Sequence, residues 1–202
     1  IWNGFRRARE AAAAAARGNA AHAARIDGRP VEAMRYLEEA LAHCRASGDR
    51  RGEGRALATL ATLHEEGGRM ELAEAGYRAT LELGRRQGDE YLIGIALKNL
   101  GDLNSTLGRH VEAERYFLEA LPVLRRIGDA AQEGAALNNL GNLYTNVGRD
   151  AEAEEHFRLA LAVHRRAGNR RSEGVALVGL ARHFSLTGRF EEALRTYGEA
   201  LE

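Results

Sequence analysis

The sequence predicts an all-α fold, an α-solenoid of about five antiparallel helix pairs, the first degenerate and the last truncated. Three observations predict it. A Gly-Arg dipeptide returns every 40 residues, at Gly28-Arg29, Gly68-Arg69, Gly108-Arg109, Gly148-Arg149 and Gly188-Arg189. Columns of alanine (Ala33, Ala73, Ala113, Ala153, Ala193) and leucine (Leu41, Leu81, Leu121, Leu161, Leu201) keep the same phase. Between the turns, apolar residues are spaced three, four, seven and eight apart, which traces one helix face and excludes the alternation of a strand. A fixed period of this length marks stacked units that bury their faces against one another.

The elements follow in order. The first unit, about 11–48, opens on an Ala-rich segment (8–26) that lacks the leucines of later units, and Ala20 and Ala21 fall in phase with Leu60 and Ala61. Alanine is the best helix former, so this segment is expected to be helical with little core. Trp2 and Phe5 are expected to cover the end of the array, or else to be the tail of a preceding repeat. The later units run over about 51–88, 91–128, 131–168 and 171–202. In the fourth, Ala136, Leu137, Leu140, Gly141 and Tyr144 mark the first helix, and Ala153, Phe157, Ala160, Leu161 and His164 mark the second. Gly48, Gly88, Gly128 and Gly168 suit the left-handed position just past a helix end. The arginine pairs before the last three complement the helix dipole. Asp49, Asp89, Asp129 and Asn169 are placed to cap the next helix. Small residues (Ala61, Gly101, Gly141, Ala181 on first helices; the alanine column on second helices) are expected to let the paired backbones approach. Two leucine columns (Leu57, Leu97, Leu137, Leu177 and Leu60, Leu100, Leu140, Leu180) are expected to fill the space between pairs. The chain stops inside a second helix without a polar capping helix, and the expectation is therefore a single array over 1–202 that belongs to a longer protein.

Composition narrows the function. A chain that is 45% hydrophobic and 29% charged suits a folded domain. The 29 basic and 29 acidic residues cancel, which argues against a nucleic-acid binder and against an acidic membrane as partner. No apolar run approaches the ~20 residues that span a bilayer. A lone cysteine, Cys44, forbids an internal disulfide and points to a reducing, cytoplasmic setting. The seven histidines are scattered over both helix types, without His-Glu-x-x-His, Cys-x-x-Cys or a phosphate loop, so no catalytic residue, metal ligand or cofactor is expected.

The pattern of the fourth unit, Leu137, Leu140-Gly141, Tyr144, Gly148, Ala153, Phe157 and Ala160, resembles the tetratricopeptide repeat. The third unit matches through Leu97, Leu100-Gly101, Gly108, Ala113, Phe117 and Ala120, but carries Asn104 in place of the aromatic. The second is looser, with Ala61, His64 and Thr80 at variant positions, and the fifth has Ala181, Phe184, Gly188, Ala193, Tyr197 and Ala200. The period is 40 residues rather than 34, with Gly-Asp where the family usually has Pro. That departure, and the string Gly-x-Ala-Leu-x-Asn-Leu-Gly-x-Leu at 94–103 and 134–143, is similar to the longer-helix subclass of kinesin light chains, Pins-type adaptors and bacterial regulators.

The resemblance implies a right-handed solenoid whose first helices line a concave face. The inward positions it implies are Arg55, Thr59, Lys98, Asn99, Asp102, Asn138, Asn139, Asn142 and Arg182, with Asn19 and His22 in the first unit. Asn99 and Asn139 share one column, and an amide offers donor and acceptor to an extended peptide backbone, so ligand contacts are expected there. Lys98, Arg55 and Arg182 could hold carboxylates, whereas Asp102 would repel an acidic end. The expected function is a scaffold that binds a peptide or protein segment in the groove. The alternatives are a sensor domain of a multidomain bacterial signalling protein and self-association, end to end, through uncapped termini.

Overall fold

The computed structural model describes the backbone of residues 2–201 and the side chains of residues 9, 10 and 12–201. Among the described residues there are ten α-helices and no strand: α1 (Trp2–Ile26), α2 (Pro30–Ser47), α3 (Arg50–Glu66), α4 (Met70–Gln87), α5 (Glu90–Thr106), α6 (His110–Arg126), α7 (Ala130–Asn146), α8 (Asp150–Arg166), α9 (Arg170–Leu186) and α10 (Phe190–Glu199). Consecutive helices pack as pairs. The chain forms two compact units, Ile1–Ala96 and Leu97–Glu202, whose boundary lies within α5. The side chains of Trp2 and Phe5, expected to cover an end, lie outside the described residues.

The turns form as the sequence dictates. Gly48, Gly88, Gly128 and Gly168 lie at φ 75°, 65°, 71° and 65°, the left-handed region that a Cβ disfavours. Each is followed by its cap. The Oδ1 atoms of Asp49, Asp89, Asp129 and Asn169 accept from the backbone N–H of Gly52, Leu92, Gln132 and Ser172 at 2.9–3.2 Å. The arginine pairs do more than complement a dipole. Arg125 Nε donates to Glu133 and Arg165 Nε to Glu173, both at 2.7 Å, and Arg45 Nε to Glu53 at 2.9 Å. Each bond ties the end of one pair to the first turn of the next. Burial works against the Glu53 carboxylate, yet hydrogen bonds from Arg45 and Arg50 outweigh it and hold its pKa below the usual range.

In the second unit both leucine columns fill the core as expected. Leu97, Leu100, Leu137, Leu140, Leu177 and Leu180 are all buried. The close approach differs from the expectation. A first-helix glycine faces an aromatic ring of the second helix, not its alanine. A Cβ on Gly101 would stand 2.6 Å from the Phe117 ring, and one on Gly141 would stand 2.8 Å from the Phe157 ring. Phe157 also meets α9, where a Cβ on Gly179 would lie 2.7 Å from the same ring.

The first unit is thinner. Its core cluster is Ala21, Ala24, Ala33, Leu37 and Leu63, with Met34, Tyr36 and Leu60 partly buried beside it. Leu57 and Leu60 are only half-buried, which corrects the expectation that their columns fill the space between pairs throughout. Their counterparts one period earlier, Arg17 and Ala20, supply little apolar volume to meet them.

The turn arginines carry a second linkage that the sequence did not announce. Arg149 lies 4.2 Å over the Tyr144 ring, pairs with Glu152 of its own helix and reaches Glu114 on α6 at 2.9 Å. Tyr144 donates its hydroxyl to the same Glu114 at 2.8 Å. Arg189 repeats the arrangement one period on, 4.2 Å over Phe184 and 2.5 Å from both Glu154 on α8 and Glu192.

Two expectations follow. Gly141→Ala should lower the urea midpoint, at a cost of about 1–3 kcal/mol for overpacking, which exceeds the roughly 1 kcal/mol that alanine gains in helix propensity. Gly198→Ala, with open space around the added methyl, should raise the midpoint. Arg149→Ala should lower the thermal midpoint more than Arg158→Ala, because Arg158 makes one ion pair along a single helix. Part of the Arg149→Ala difference should persist in 0.5 M NaCl, where the ring contact is less screened than the ion pairs.

Candidate ligand-binding face

Five of the positions expected to face inward, Lys98, Asp102, Asn139, Asn142 and Arg182, form a bonded series over α5, α7 and α9 of the second unit. Lys98 Nζ and Asp102 Oδ2 form an ion pair at 2.8 Å along α5. Asn139 Nδ2, on α7, donates to Asp102 Oδ1 at 2.5 Å. Arg182 Nη2, on α9, donates to Asn142 Oδ1 at 2.6 Å. Thr145 Oγ1 lies 3.1 Å from His183 Nδ1, again bridging α7 and α9. A polar seam therefore crosses the three first helices of this unit. Asp102, expected to repel an acidic ligand, is instead neutralised by Lys98 and held by Asn139.

Asn138 and Asn139 do not act together. Asn138 is buried at 8% exposure, and its Oδ1 finds no hydrogen-bond partner. Gly179 is the cause: it stands in the asparagine column but has no side chain to hold α9 away, and a Cβ there would meet Asn138 Oδ1 at 3.1 Å. Asn139 and Asn142 are partly exposed and three residues apart on one helix face. Each has one amide end held by a neighbour. The bond to Asp102 leaves Asn139 Oδ1 as an acceptor, and the bond from Arg182 leaves Asn142 Nδ2 as a donor. Asn99 is half-buried on α5 and enters none of these bonds.

Arg55 belongs to the first unit and lines a different concavity. It stands with Thr59 on α3 opposite Asn19 and His22 on α1, around a cleft of about 430 Å³. Four of the positions expected to face inward in the first two repeats thus share one cleft, whereas Thr62 and Glu65 do not line it.

Two histidines occupy core positions. His164 is buried against Gly134, and His183 is buried between Thr145, Phe157 and Phe184. Burial pushes the pKa of both below the usual imidazole value. His64, which stands in the Tyr144 column two periods earlier, is shifted the same way by burial and then by Arg69. No group of three or more His, Cys, Asp or Glu side chains is placed to hold a metal ion among the described residues. Among them, too, no helix is long and apolar enough to cross a membrane.

The sequence profile of the tetratricopeptide repeat family matches residues 60–126 and 132–202. No curated protein sequence is a significant match. Among solved structures, a Signal Transduction ATPase with Numerous Domains protein with a tetratricopeptide repeat sensor, from Pyrococcus horikoshii, is similar at TM-score 0.80 and 22% identity, over 92% of this chain and 28% of that one. A kinesin light chain-like protein of nearly identical repeats from Podosopora anserina aligns at TM-score 0.72 and 16% identity, over 92% of each chain. A Rap protein complexed with Competence and Sporulation Factor aligns at TM-score 0.78 and 15% identity, over 90% of this chain and 51% of that one. At these identities the likeness is one of fold. The chain spans little more than a quarter of the first of these proteins and about half of the last.

The depressed histidine pKa values set a pH dependence. A base whose folded pKa lies below its unfolded value of ~6.5 contributes stability above that value and loses it as pH falls toward the folded pKa. The thermal midpoint should therefore decline from pH 7 to pH 5, above the range in which carboxylates protonate. A His164→Gln/His183→Gln double variant, less stable at pH 7.5, should show a shallower decline by circular dichroism melts.

Proposed function

Because the chain belongs to the tetratricopeptide repeat family, we propose that it is a protein-interaction module that captures an extended peptide segment on the α5–α7–α9 face of its second unit. The observation that carries this reading is the pair Asn139 and Asn142. One turn of helix presents a carbonyl oxygen and an amide N–H side by side, each oriented by a bond to its neighbour. A peptide unit needs that complement, an acceptor for its N–H and a donor for its C=O. Preorganised groups lose less freedom when a ligand arrives. Arg182 is exposed and uses one guanidinium nitrogen on Asn142, which leaves donors for an acidic side chain next to the captured backbone. Lys98 is committed to Asp102 and contributes orientation rather than charge.

A cytoplasmic setting and a non-catalytic role are part of this reading. A sensor role within a signalling protein is a second reading, supported by two similar folds, one of a protein with a tetratricopeptide repeat sensor and one of a Rap protein in complex with a factor. Both readings place ligand contacts at Asn139 and Asn142. End-to-end self-association places none there.

Panning a random-peptide display library against the chain tests the reading. Enriched peptides should share a motif with an acidic residue. Asn139→Ala/Asn142→Ala should weaken them roughly tenfold or more, since each hydrogen bond contributes about 0.5–1.5 kcal/mol, with the helical circular dichroism unchanged. Failure to enrich any motif, or enrichment indifferent to the double substitution, would sink peptide capture on this face.

A further inference from the structure

The cleft of the first unit has a sequence cause. In the second unit the space between successive first helices is closed by the Phe157 ring against Gly141 and Gly179. The same three columns in the first unit hold Leu37, Ala21 and Thr59. Leucine is smaller than phenylalanine, and Thr59 has a side chain where Gly179 has none. Ala14, Ala15 and Gly18 then leave the α1 wall low. The result is the concavity of about 430 Å³ between α1, α2 and α3, within the range of small-molecule sites.

Its lining is divided by chemistry. Leu37, Ala40 and Ala56 are buried and apolar, and with the Cys44 thiol they belong to the cleft wall. Arg55, Asn19 and His22 stand exposed at its edge. None of the three side chains has an ion-pair or hydrogen-bond partner among the described residues, although most charged side chains of this molecule are paired. Thr59 donates its hydroxyl hydrogen to the Arg55 carbonyl at 2.9 Å and so keeps acceptor capacity. The one carboxylate in the lining, Asp49, is engaged at the start of α3, where it accepts from Gly52 N–H at 2.9 Å. Arg55 is therefore the uncommitted charge of an otherwise apolar and amide-edged cleft.

We propose that this cleft binds a small amphipathic carboxylic acid, with the carboxylate on Arg55, assisted by Asn19, and the apolar body against Leu37, Ala40 and Ala56. A guanidinium offers a fork of donors that a carboxylate fits in bidentate fashion. Among the described residues Arg55 is not held by an acidic neighbour that a ligand would first have to displace. A half-open cleft bounded by three helices suits a free molecule rather than a chain laid along a groove. This site shares no residue with the α5–α7–α9 face, so either can fail alone.

The test is titration of the ¹⁵N-labelled 202-residue chain with 4-phenylbutyrate, with 4-phenylbutanol as the neutral isostere. The acid should shift the amides of Ala14, Cys44, Gly52 and Thr59 with a submillimolar Kd, and the alcohol should bind at least tenfold more weakly. Arg55→Gln, at an exposed position, should weaken the acid by at least tenfold. Gly18→Leu should abolish binding without lowering the thermal midpoint, because a Cβ at Gly18 meets nothing within 4 Å and leucine is the better helix former. Equal binding of acid and alcohol, no loss in Arg55→Gln, or shifts outside α1–α3 would overturn the assignment. Tighter binding of acetyl-Gly-Ser-Phe with a free C-terminus than of phenylbutyrate would overturn the choice of a free molecule, in favour of a chain terminus.

Discussion

The second unit depends on one aromatic ring held between two glycines. Phe157 reaches from α8 to touch α7 at Gly141 and α9 at Gly179, and neither site has room for a methyl group. The ring thereby sets both the spacing inside a helix pair and the spacing to the next one. Everything on the polar seam inherits that register. Asn142 lies within reach of Arg182, and Thr145 within reach of His183, because α9 sits as close to α7 as the ring allows. The same closeness buries Asn138 and leaves its carbonyl oxygen unpaired, an arrangement that costs on the order of 1–3 kcal/mol in a core. That cost is offset by the burial of Leu137, Leu140, Leu177 and Leu180, each of which contributes about 1.5–3 kcal/mol.

The turn arginines work at the other end of the same helices. An isolated surface ion pair contributes little. Arg149 and Arg189 differ because each is fixed by an aromatic face and by carboxylates from two helices, one of them in the preceding pair. A guanidinium so constrained loses less freedom per bond than a free surface side chain. Where the preceding helix lacks the acid, the linkage changes. Met34 stands in the Glu114 column, and Arg69 meets its sulfur at 2.9 Å instead of a carboxylate. An exposed ion pair between Arg25 and Glu66 at 3.0 Å joins α1 to α3 there.

Much of this was legible in the sequence. Helices, turns and caps are local, and the residues that specify them (Gly128 with Asp129, Gly168 with Asn169) act within four positions of themselves. That Asn139 and Asn142 share a face of α7 was legible because helical periodicity fixes which residues stand together. Two things were not. The glycine–ring contact needs the relative height of two helices, and a 40-residue period aligns columns without saying which column meets which. The fate of each asparagine was hidden for the same reason. Asn138 and Asn139 are adjacent and chemically identical, yet one is buried and the other edges the seam. The deciding residue is Gly179, which sits forty residues away on another helix. The recurrence of Arg149 was visible in the sequence as a repeated Gly-Arg, but its role was not, because its partners, Tyr144 and Glu114, are five and thirty-five residues distant.

The degenerate look of the first unit and its cleft then have one cause. Arg17 and Ala20 in the leucine columns, Leu37 in the ring column and Met34 in the acid column each remove a contact that closes the later pairs. Taken singly, each resembles drift in a peripheral repeat. Taken together, they leave the helices intact, since α1 and α2 keep their alanine-rich sequences and α3 keeps its Asp49 cap. What they remove is the filling between helices, and the space they vacate is edged by polar side chains, Asn19, His22 and Arg55. Within a repeat protein the strict copies build the scaffold, and a site for a small ligand requires a copy in which the packing columns fail while the helix-forming ones hold.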